Sequence, residues 1–135
     1  MQLRNMTMAD ADKMLEWKNY FETRQFTIQS HDEISKEAHY KWLPDNLKYF
    51  KVIEIDGKPC GAVRVQENEI SIWVDRDYRG KGIATFIIEQ ISEIGMIAHI
   101  VDGNVGSMKC FIRAGFEPIK YVITTKSCNY YIFKK

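Results

Sequence analysis

The sequence predicts a mixed α/β fold, an α+β arrangement in which helices flank one twisted sheet. Three observations indicate it. Hydrophobic residues recur at helical spacing early in the chain, three strand-like segments then follow in succession, and the last part alternates strand, loop and helix before a closing hairpin. We expect about six to seven strands and about four helices. The 135 residues suffice for one core but not comfortably for two, so residues 1–135 are interpreted as a single domain.

The first third of the chain has the pattern of a short strand followed by two helices. Thr7 and Asp10 have the spacing of a capping box, which begins the first helix. Ser35 is a good N-cap for the second helix, and Pro44 limits where that helix ends. The predicted elements are a strand over Gln2–Met6, a helix that ends near Asn19, an irregular stretch over 20–34 and a helix that ends near Leu43.

The middle of the chain has the pattern of a three-stranded antiparallel meander. β-Branched and aromatic residues are concentrated in three runs, as is typical of strands. The dipeptide Asp56-Gly57 between the first two runs is a strong signal for a two-residue hairpin. The predicted strands are Tyr49–Ile55, Cys60–Gln66 and Glu69–Val74.

The last part of the chain alternates strands with helices. Isoleucines at helical spacing follow the polar loop Asp75–Gly82, and Gly95 is a fitting end for that helix. The apolar run that comes next is expected to be a central, buried strand. The predicted elements are a helix over Ile83–Ile94, a strand over Met96–Asp102, a helix over Met108–Ala114, and a hairpin of Phe116–Thr124 and Asn129–Phe133.

Composition excludes several classes of protein. A net charge of +1 gives no overall basic surface for nucleic acid. The apolar stretches are far shorter than the roughly 20 residues of a membrane helix, and the N-terminus lacks the apolar region of an export signal. The 3 cysteines are widely spaced, which predicts neither a disulfide framework nor a metal site. We therefore expect a cytoplasmic protein without a metal, a membrane or a nucleic-acid partner.

The segment Arg79-Gly80-Lys81-Gly82 has the chemistry of an anion site. It lies between a predicted strand and a predicted helix, and its glycines allow a tight turn with outward N–H groups. The helix N-terminus adds roughly half a positive charge, which suits a pyrophosphate. The segment is not a Walker A loop, and Thr85 breaks the G-x-G-x-x-G dinucleotide pattern.

Two motifs in this half resemble the GNAT superfamily of acetyl-CoA-dependent N-acetyltransferases. Arg79, Gly82 and Ala84 fill the family signature Gln/Arg-x-x-Gly-x-Gly/Ala. A second block, in which Asn104 and Ser107 precede Phe111 and Ala114-Gly115-Phe116, is also similar to the family. The order of elements agrees, and the resemblance covers nearly the whole chain.

The resemblance implies a binding site for acetyl-CoA as co-substrate. Pyrophosphate would be held by the side chains of Arg79 and Lys81 and by backbone N–H groups of Gly80, Lys81, Gly82, Ile83 and Ala84. The strand around Ile72, Trp73 and Val74 would pair with the pantetheine arm, which Asn104 and Ser107 would also face. Phe111 stands where many relatives carry a tyrosine that acts as general acid, and Phe cannot donate a proton. A plain helix cap is the alternative for Asn104.

The first third of the chain narrows the acceptor. It resembles family members that acetylate amino sugars on nucleotide carriers, which makes a nucleotide-linked amino sugar the first choice of acceptor. The implied acceptor-side residues are Asn19, Arg24, His39, Trp42 and Arg64. Glu69 and His39 are the candidate general bases, with Glu54 as an alternative. Packing against Trp42 is an equally good explanation of His39.

Other functions stay open from the sequence. One is acetylation of a peptide amine or a drug-like amine. Another is a CoA-binding sensor or interaction module with weak catalysis, which the absence of a tyrosine at Phe111 keeps in play. A homodimer is neither required nor excluded.

Overall fold

Seven strands form one mixed sheet in the computed structural model, which describes residues 1–28, 31–125 and 128–135. The strands are β1 (Gln2–Asn5), β2 (Phe50–Ile55), β3 (Lys58–Gln66), β4 (Glu69–Val74), β5 (Ile97–Val101), β6 (Glu117–Val122) and β7 (Tyr130–Lys134). The helices are α1 (Ala11–Asn19), α2 (Phe21–Arg24), α3 (Lys36–Trp42), α4 (Ile83–Ile91) and α5 (Val105–Arg113). The strands lie in the order β1-β2-β3-β4-β5-β7-β6, antiparallel except for the parallel pair β4 and β5. This confirms the predicted fold class.

The predicted helix starts are present. The Asp10 carboxylate accepts from the N–H of Thr7 at 2.9 Å, and the Thr7 hydroxyl accepts from the N–H of Ala9 at 3.3 Å, which completes the capping box. Ser35 caps α3 by accepting from the N–H of Ala38 at 3.1 Å. The stretch expected to be irregular contains the single helical turn α2. None of the helices in the described ranges has the length and apolar character needed to span a bilayer.

Helix α4 is shorter than the sequence predicts. The isoleucine spacing continues to Ile94, but α4 ends at Ile91, and the side chain of Ile94 is 91% exposed. Ser92 has extended backbone with ψ 142°, and the N–H of Gly95 donates to the carbonyl of Lys135 at 3.0 Å. This hydrogen bond to the residue after β7 draws the chain away from the helix axis and into β5.

Hydrophobic residues are buried on both faces of the sheet. One core lies under α4 and α5 and contains Ile70, Ile88 and Phe116. The other lies under α1 and α3 and contains Met14 and Trp17. The amphipathic helices therefore cover both faces of the sheet. Polar groups can converge at the edge that lies between these faces.

A β-bulge in β3 brings its backbone very close to β4. Ile53 pairs with Gly61, whereas Glu54 pairs with Pro59, so Cys60 is an extra residue in the ladder. Cys60 is completely buried and behaves as a small hydrophobe. Next to it, a Cβ on Gly61 would collide with the carbonyl oxygen of Trp73 and would lie 3.3 Å from Cδ1 of Ile53. Only glycine fits at this position.

Gly61→Ala is expected to destabilise the protein by about 1 to 3 kcal/mol, because the added methyl group forces β3 and β4 apart. The free energy of unfolding in urea measures the effect. Gly106→Ala is the matched control. A Cβ on Gly106 meets no atom within 4 Å, and alanine favours the helical first turn of α5, so this variant should be equal to or slightly more stable than wild type. Equal stability of both variants would contradict the close approach.

Candidate functional site

Strands β4 and β5 part from each other and leave a cleft in the sheet. Their ladder contains the pair Glu69↔Ile97, and no later pair follows within the described residues. The N–H of Asp75 donates to a β3 carbonyl at 2.8 Å, so the alternation of an antiparallel ladder turns the backbone groups of Ile72 and Val74 toward β5. This half of β4 is an open edge that an extended ligand could complete as a strand.

Trp73 does not share that orientation. Its carbonyl faces β3, where it limits the space at Gly61. Its ring lies 5.9 Å from that of Phe50, in the core under α1 and α3. Of the three β4 residues predicted to pair with a ligand, Ile72 and Val74 therefore have backbone groups directed into the cleft.

The glycine loop at the end of the cleft leaves helix α4 with free backbone donors. Gly80 and Gly82 have φ of 75° and 80°, a region that residues with a Cβ rarely adopt. Gly82 is the N-cap of α4, and no side chain of the described residues caps it, so the N–H groups of Ile83 and Ala84 have no side-chain acceptor. Open space surrounds both glycines. Free N–H groups at a positive helix end fit a phosphate oxygen.

The two cations of the loop differ in their partners. Lys81 is exposed, with its Nζ 5.4 Å from the centre of the Tyr78 ring. Arg79 turns back: its Nε donates to the carbonyl of Val74 at 3.1 Å, and its Nη1 lies 3.1 Å from Oε1 of Glu22. Arg76 also binds Glu22, at 2.6 Å, and these contacts lower the pKa of Glu22 to about 2. No sequence motif pointed to Glu22, which links α2 to the loop.

A row of side chains crosses the α1 face of the sheet beside the cleft. Arg64 on β3 pairs with Phe50 on one side and with Ser71 on the other, so the three side chains project from the same face. Trp42, at the end of α3, closes the row by edge contact with Phe50 at 5.9 Å and is 38% exposed. Trp42 and Arg64 thus both flank Phe50 on the α1 face of the sheet.

Lys18 of α1 also reaches this row. Its Nζ lies 3.8 Å from the centre of the Trp42 ring and 5.6 Å from that of Phe50. Burial, together with the charge of Arg64, lowers the pKa of Lys18 from its ordinary 10.5 to about 8. No motif in the sequence indicated this place for Lys18.

Glu69 and His99 meet at the point where β4 and β5 part. Nδ1 of His99 lies 3.1 Å from Oε1 of Glu69, and each side chain is 27% exposed. The ring of Tyr130 packs edge-on against His99 at 5.3 Å. His99 was not among the predicted site residues, although a lone polar residue in the apolar run of β5 was a signal. The alternative base Glu54 instead forms an ion pair with Arg4 at 2.9 Å.

Comparison with known proteins agrees with this geometry. The sequence model of the Acetyltransferase (GNAT) family matches residues 12–116. The chain belongs to this family. The expected cofactor contacts depend on the parted strands and the glycine loop of this chain.

Relatives extend the comparison. An N-acetyltransferase of Methanocaldococcus jannaschii, itself uncharacterised, is 33% identical over 138 residues, which cover 85% of this chain and 60% of that protein. The chain therefore spans well under two thirds of the length of this curated relative.

Two solved structures share the fold. One is the ribosomal-protein-alanine N-acetyltransferase from Brucella melitensis, with a TM-score of 0.75, 23% identity, and coverage of 100% of this chain and 99% of that chain. The other is an aminoglycoside acetyltransferase in complex with coenzyme A and kanamycin, with a TM-score of 0.76, 17% identity, and coverage of 98% and 92%. At these identities the likeness shows the fold.

The second GNAT block forms the start and the core face of α5. Oδ1 of Asn104 accepts from the N–H of Ser107 at 3.3 Å, which favours the capping alternative for Asn104 and makes α5 start at Val105, earlier than expected. Phe111 is 2% exposed and contacts Phe116 edge-to-face at 5.0 Å. Its ring lies in the core under α4 and α5 rather than on the cleft surface.

Three residues predicted on the acceptor side instead hold the backbone. Asn19 binds Ile34 twice, by donating to its carbonyl and by accepting from its N–H, both at 2.8 Å. Arg24 donates to the carbonyls of Asn19 and His31 at 3.2 and 3.0 Å. His39 is 1% exposed, and its Nε2 lies 3.0 Å from the carbonyl of Ala11. These contacts favour packing roles, because the polar atoms are already used.

A buried hydrogen bond anchors α1 beside the cleft. Nε1 of Trp17 donates to Oδ2 of Asp75 at 3.0 Å, and both residues are buried. Burial alone would raise the pKa of Asp75, but the bonds from Trp17 and the N–H of Asp77, with Lys13 nearby, keep that pKa lowered. Trp17 is therefore a core residue, and Asp75 fixes the end of β4 against α1.

Lys18→Met is expected to stabilise the protein at about pH 7 by about 1 to 3 kcal/mol, because the buried ammonium has no counter-charge. Lys18 of the wild type loses its proton near pH 8 in the folded state and near pH 10.5 in the unfolded state. The destabilisation caused by burying its ammonium therefore disappears as the pH rises from 8 to 10.5. The advantage of the variant should therefore shrink at about pH 9.5. Urea unfolding at both pH values measures the difference.

Lys48→Met is the control for this prediction. Lys48 also lies over an aromatic ring, 5.2 Å from the centre of Tyr49, but it is exposed. Its replacement should change the free energy of unfolding little at either pH. A Lys18→Met variant that is less stable than wild type at neutral pH would show that the ammonium is well compensated.

Proposed function

We propose that the protein is an acetyl-CoA-dependent N-acetyltransferase that acts on the primary amine of a small acceptor. The observation that carries the proposal is the parting of β4 and β5 directly beside an uncapped helix N-terminus. An open strand edge and a phosphate-binding helix end, adjacent and in line, match an extended amide-containing arm that ends in a pyrophosphate. Bound there, acetyl-CoA supplies the acetyl thioester.

The residues present fit this co-substrate. Ile72 and Val74 offer backbone hydrogen bonds along the open edge, and the N–H groups that follow Gly82 offer donors to phosphate. Lys81 adds a mobile cation. Arg79 contributes by fixing the carbonyl of Val74, and it can also turn toward phosphate by exchanging its contact with Glu22. Alignment and backbone polarisation are the main contributions of such a site to acyl transfer.

The acceptor must lose a proton as its amine becomes an amide. His99 and Glu69 are the titratable pair nearest the point where the strands part, and they face the same side of the sheet as Arg64 and Trp42. We assign His99 as the proton acceptor and Glu69 as the group that orients its ring and stabilises its charged form. Glu69 therefore remains a participant in proton transfer. His39 does not remain a candidate base, because it is enclosed by packing.

Departure of the thiolate needs no tyrosine at Phe111. Tyr131 packs against the same core as Phe111, since β7 pairs it with Ile100 on β5. We propose the Tyr131 hydroxyl as a substitute proton donor. A thiol with an ordinary pKa of about 8.5 is also a tolerable leaving group without protonation.

Charge narrows the acceptor class. Lys18 and Arg64 make the α1 face of the cleft positive, which disfavours a polycationic aminoglycoside and favours an acceptor with negative charge. A nucleotide-linked amino sugar has this character, and Trp42 offers it an exposed aromatic surface. Peptide amines and a catalytically weak CoA sensor are the alternatives, which release of free thiol with a panel of amines would separate. The free cysteines support a cytoplasmic location.

Acetyl-CoA is expected to raise the Tm of the wild-type protein, because it binds the folded state. Gly82→Asp should abolish this shift by placing a negative charge at the phosphate donors. Gly57→Asp is the matched control, since Gly57 also has a positive φ, 75° against 80° at Gly82, and equally open surroundings in the β2–β3 hairpin. Both variants lose stability from backbone strain, but only Gly57→Asp should keep the shift. Thermal unfolding with and without ligand decides it.

His99→Ala is expected to lower kcat by about 10² to 10⁴, the usual contribution of a positioned general base. Added imidazole should restore part of the rate. Glu69→Gln should give a smaller loss, because the imidazole remains and only its orientation is less well held. A His99→Ala enzyme with full kcat would exclude this base, whereas loss of the Tm shift with acetyl-CoA would indicate a structural defect.

A further inference from the structure

Lys18 occupies an aromatic pocket without an anionic partner. Its Nζ lies over the rings of Trp42 and Phe50, and no carboxylate of the described residues forms an ion pair with it. The group that influences its charge most closely is another cation, Arg64. An ammonium in such a position is costly unless something outside the chain compensates it.

Arg64 also lacks an anionic partner in the described part of the chain. Its Nε is completely buried and has no hydrogen-bond acceptor among the described residues. One terminal nitrogen donates to Oε1 of Gln66, which fixes the plane of the guanidinium. The pairing with Ser71 on β4 places Arg64 next to the open edge. The guanidinium is therefore held in one orientation with an unused donor.

Two cations that flank Phe50 without a carboxylate partner oppose folding, whereas three other arginines of the described residues are paired with carboxylates. Arg4 binds both Asp10 and Glu54, and Arg76 shares Glu22 with Arg79. His39, the other titratable group near Lys18, is kept neutral because burial, assisted by the charge of Lys18, lowers its pKa. Within the described ranges, this face thus carries two cations without an ion-pair partner beside the exposed ring of Trp42, and the carboxylate of Glu69 on the same face is bound to His99.

We infer that Lys18 and Arg64 bind an anionic group of the acceptor, a carboxylate or a phosphate, and hold it against Trp42. This inference rests on the proposed function for the identity of the ligand as acceptor. A planar, oriented guanidinium and an ammonium suit two oxygens of one anion. The pocket selects acceptors by charge and, since it lies beside the parted strands, sets the distance between the anionic group and the reacting amine.

Inorganic phosphate and acetate are the probes for the two anion types. In the presence of saturating coenzyme A, which occupies the loop at α4, phosphate or acetate should raise the pKa of Lys18 as followed by NMR of labelled lysine side chains. Lys18→Met should weaken binding of the preferred anion, measured by thermal stabilisation at constant ionic strength, about tenfold or more. Arg64→Lys keeps the positive charge but loses the planar guanidinium with its two parallel donors. This variant should show an intermediate loss of anion affinity. Lys48→Met should bind as wild type does.

The outcomes separate this inference from the proposed function. Equal anion affinity in wild type and Lys18→Met, or no anion effect on Lys18, overturns the pocket even if acetyl-CoA binds and transfer occurs. Anion binding at Lys18 without any stabilisation by coenzyme A overturns the proposed function and leaves the pocket standing. At saturating acetyl-CoA the preferred anion should raise the KM for the amine in wild type and not in Lys18→Met. An unchanged KM overturns the assignment to the acceptor.

Discussion

The structure depends on a ladder that stops after one pair. Glu69 and Ile97 join β4 to β5, and beyond them the sheet opens although both strands continue. The β4 residues along the opening are half-buried, so their N–H and C=O groups lose part of their contact with water without gaining partners among the described residues of β5. The opening therefore forms a slot that another extended chain of amides could complete.

The end of that slot is set by Asp75. This one carboxylate receives the indole N–H of Trp17 and the backbone N–H of Asp77, so α1, the end of β4 and the turn toward the glycine loop share a single acceptor. This shared acceptor therefore fixes the direction in which the glycine loop approaches the N-terminus of α4. Arg79 and Glu22 then fasten α2 to the same turn, which closes the slot on the α1 side.

Local signals explain what the sequence could predict. The capping box at Thr7, the Asp56-Gly57 turn and the glycine loop depend on neighbours in the chain, and each is present. Long-range pairing explains the rest. The contact of His99 with Glu69 and the convergence of Lys18 and Arg64 on Phe50 arise only when distant segments fold together. Asn19, Arg24 and His39 looked available because their partners are backbone atoms, which leave no trace in a pattern of residue types.

The placement of the two cores on opposite faces has an evolutionary consequence. Side chains that would recognise the acceptor project toward α1 and α3, whereas the helix that offers donors to phosphate packs on the other core. Substitutions on separate cores act nearly additively on stability. Residues such as Trp42 or Arg64 can therefore be replaced during evolution, which changes the acceptor that the protein modifies. Selection on α4 meanwhile preserves the binding of a common metabolite. Divergence of specificity under a constant cofactor requirement follows from the layering of this fold.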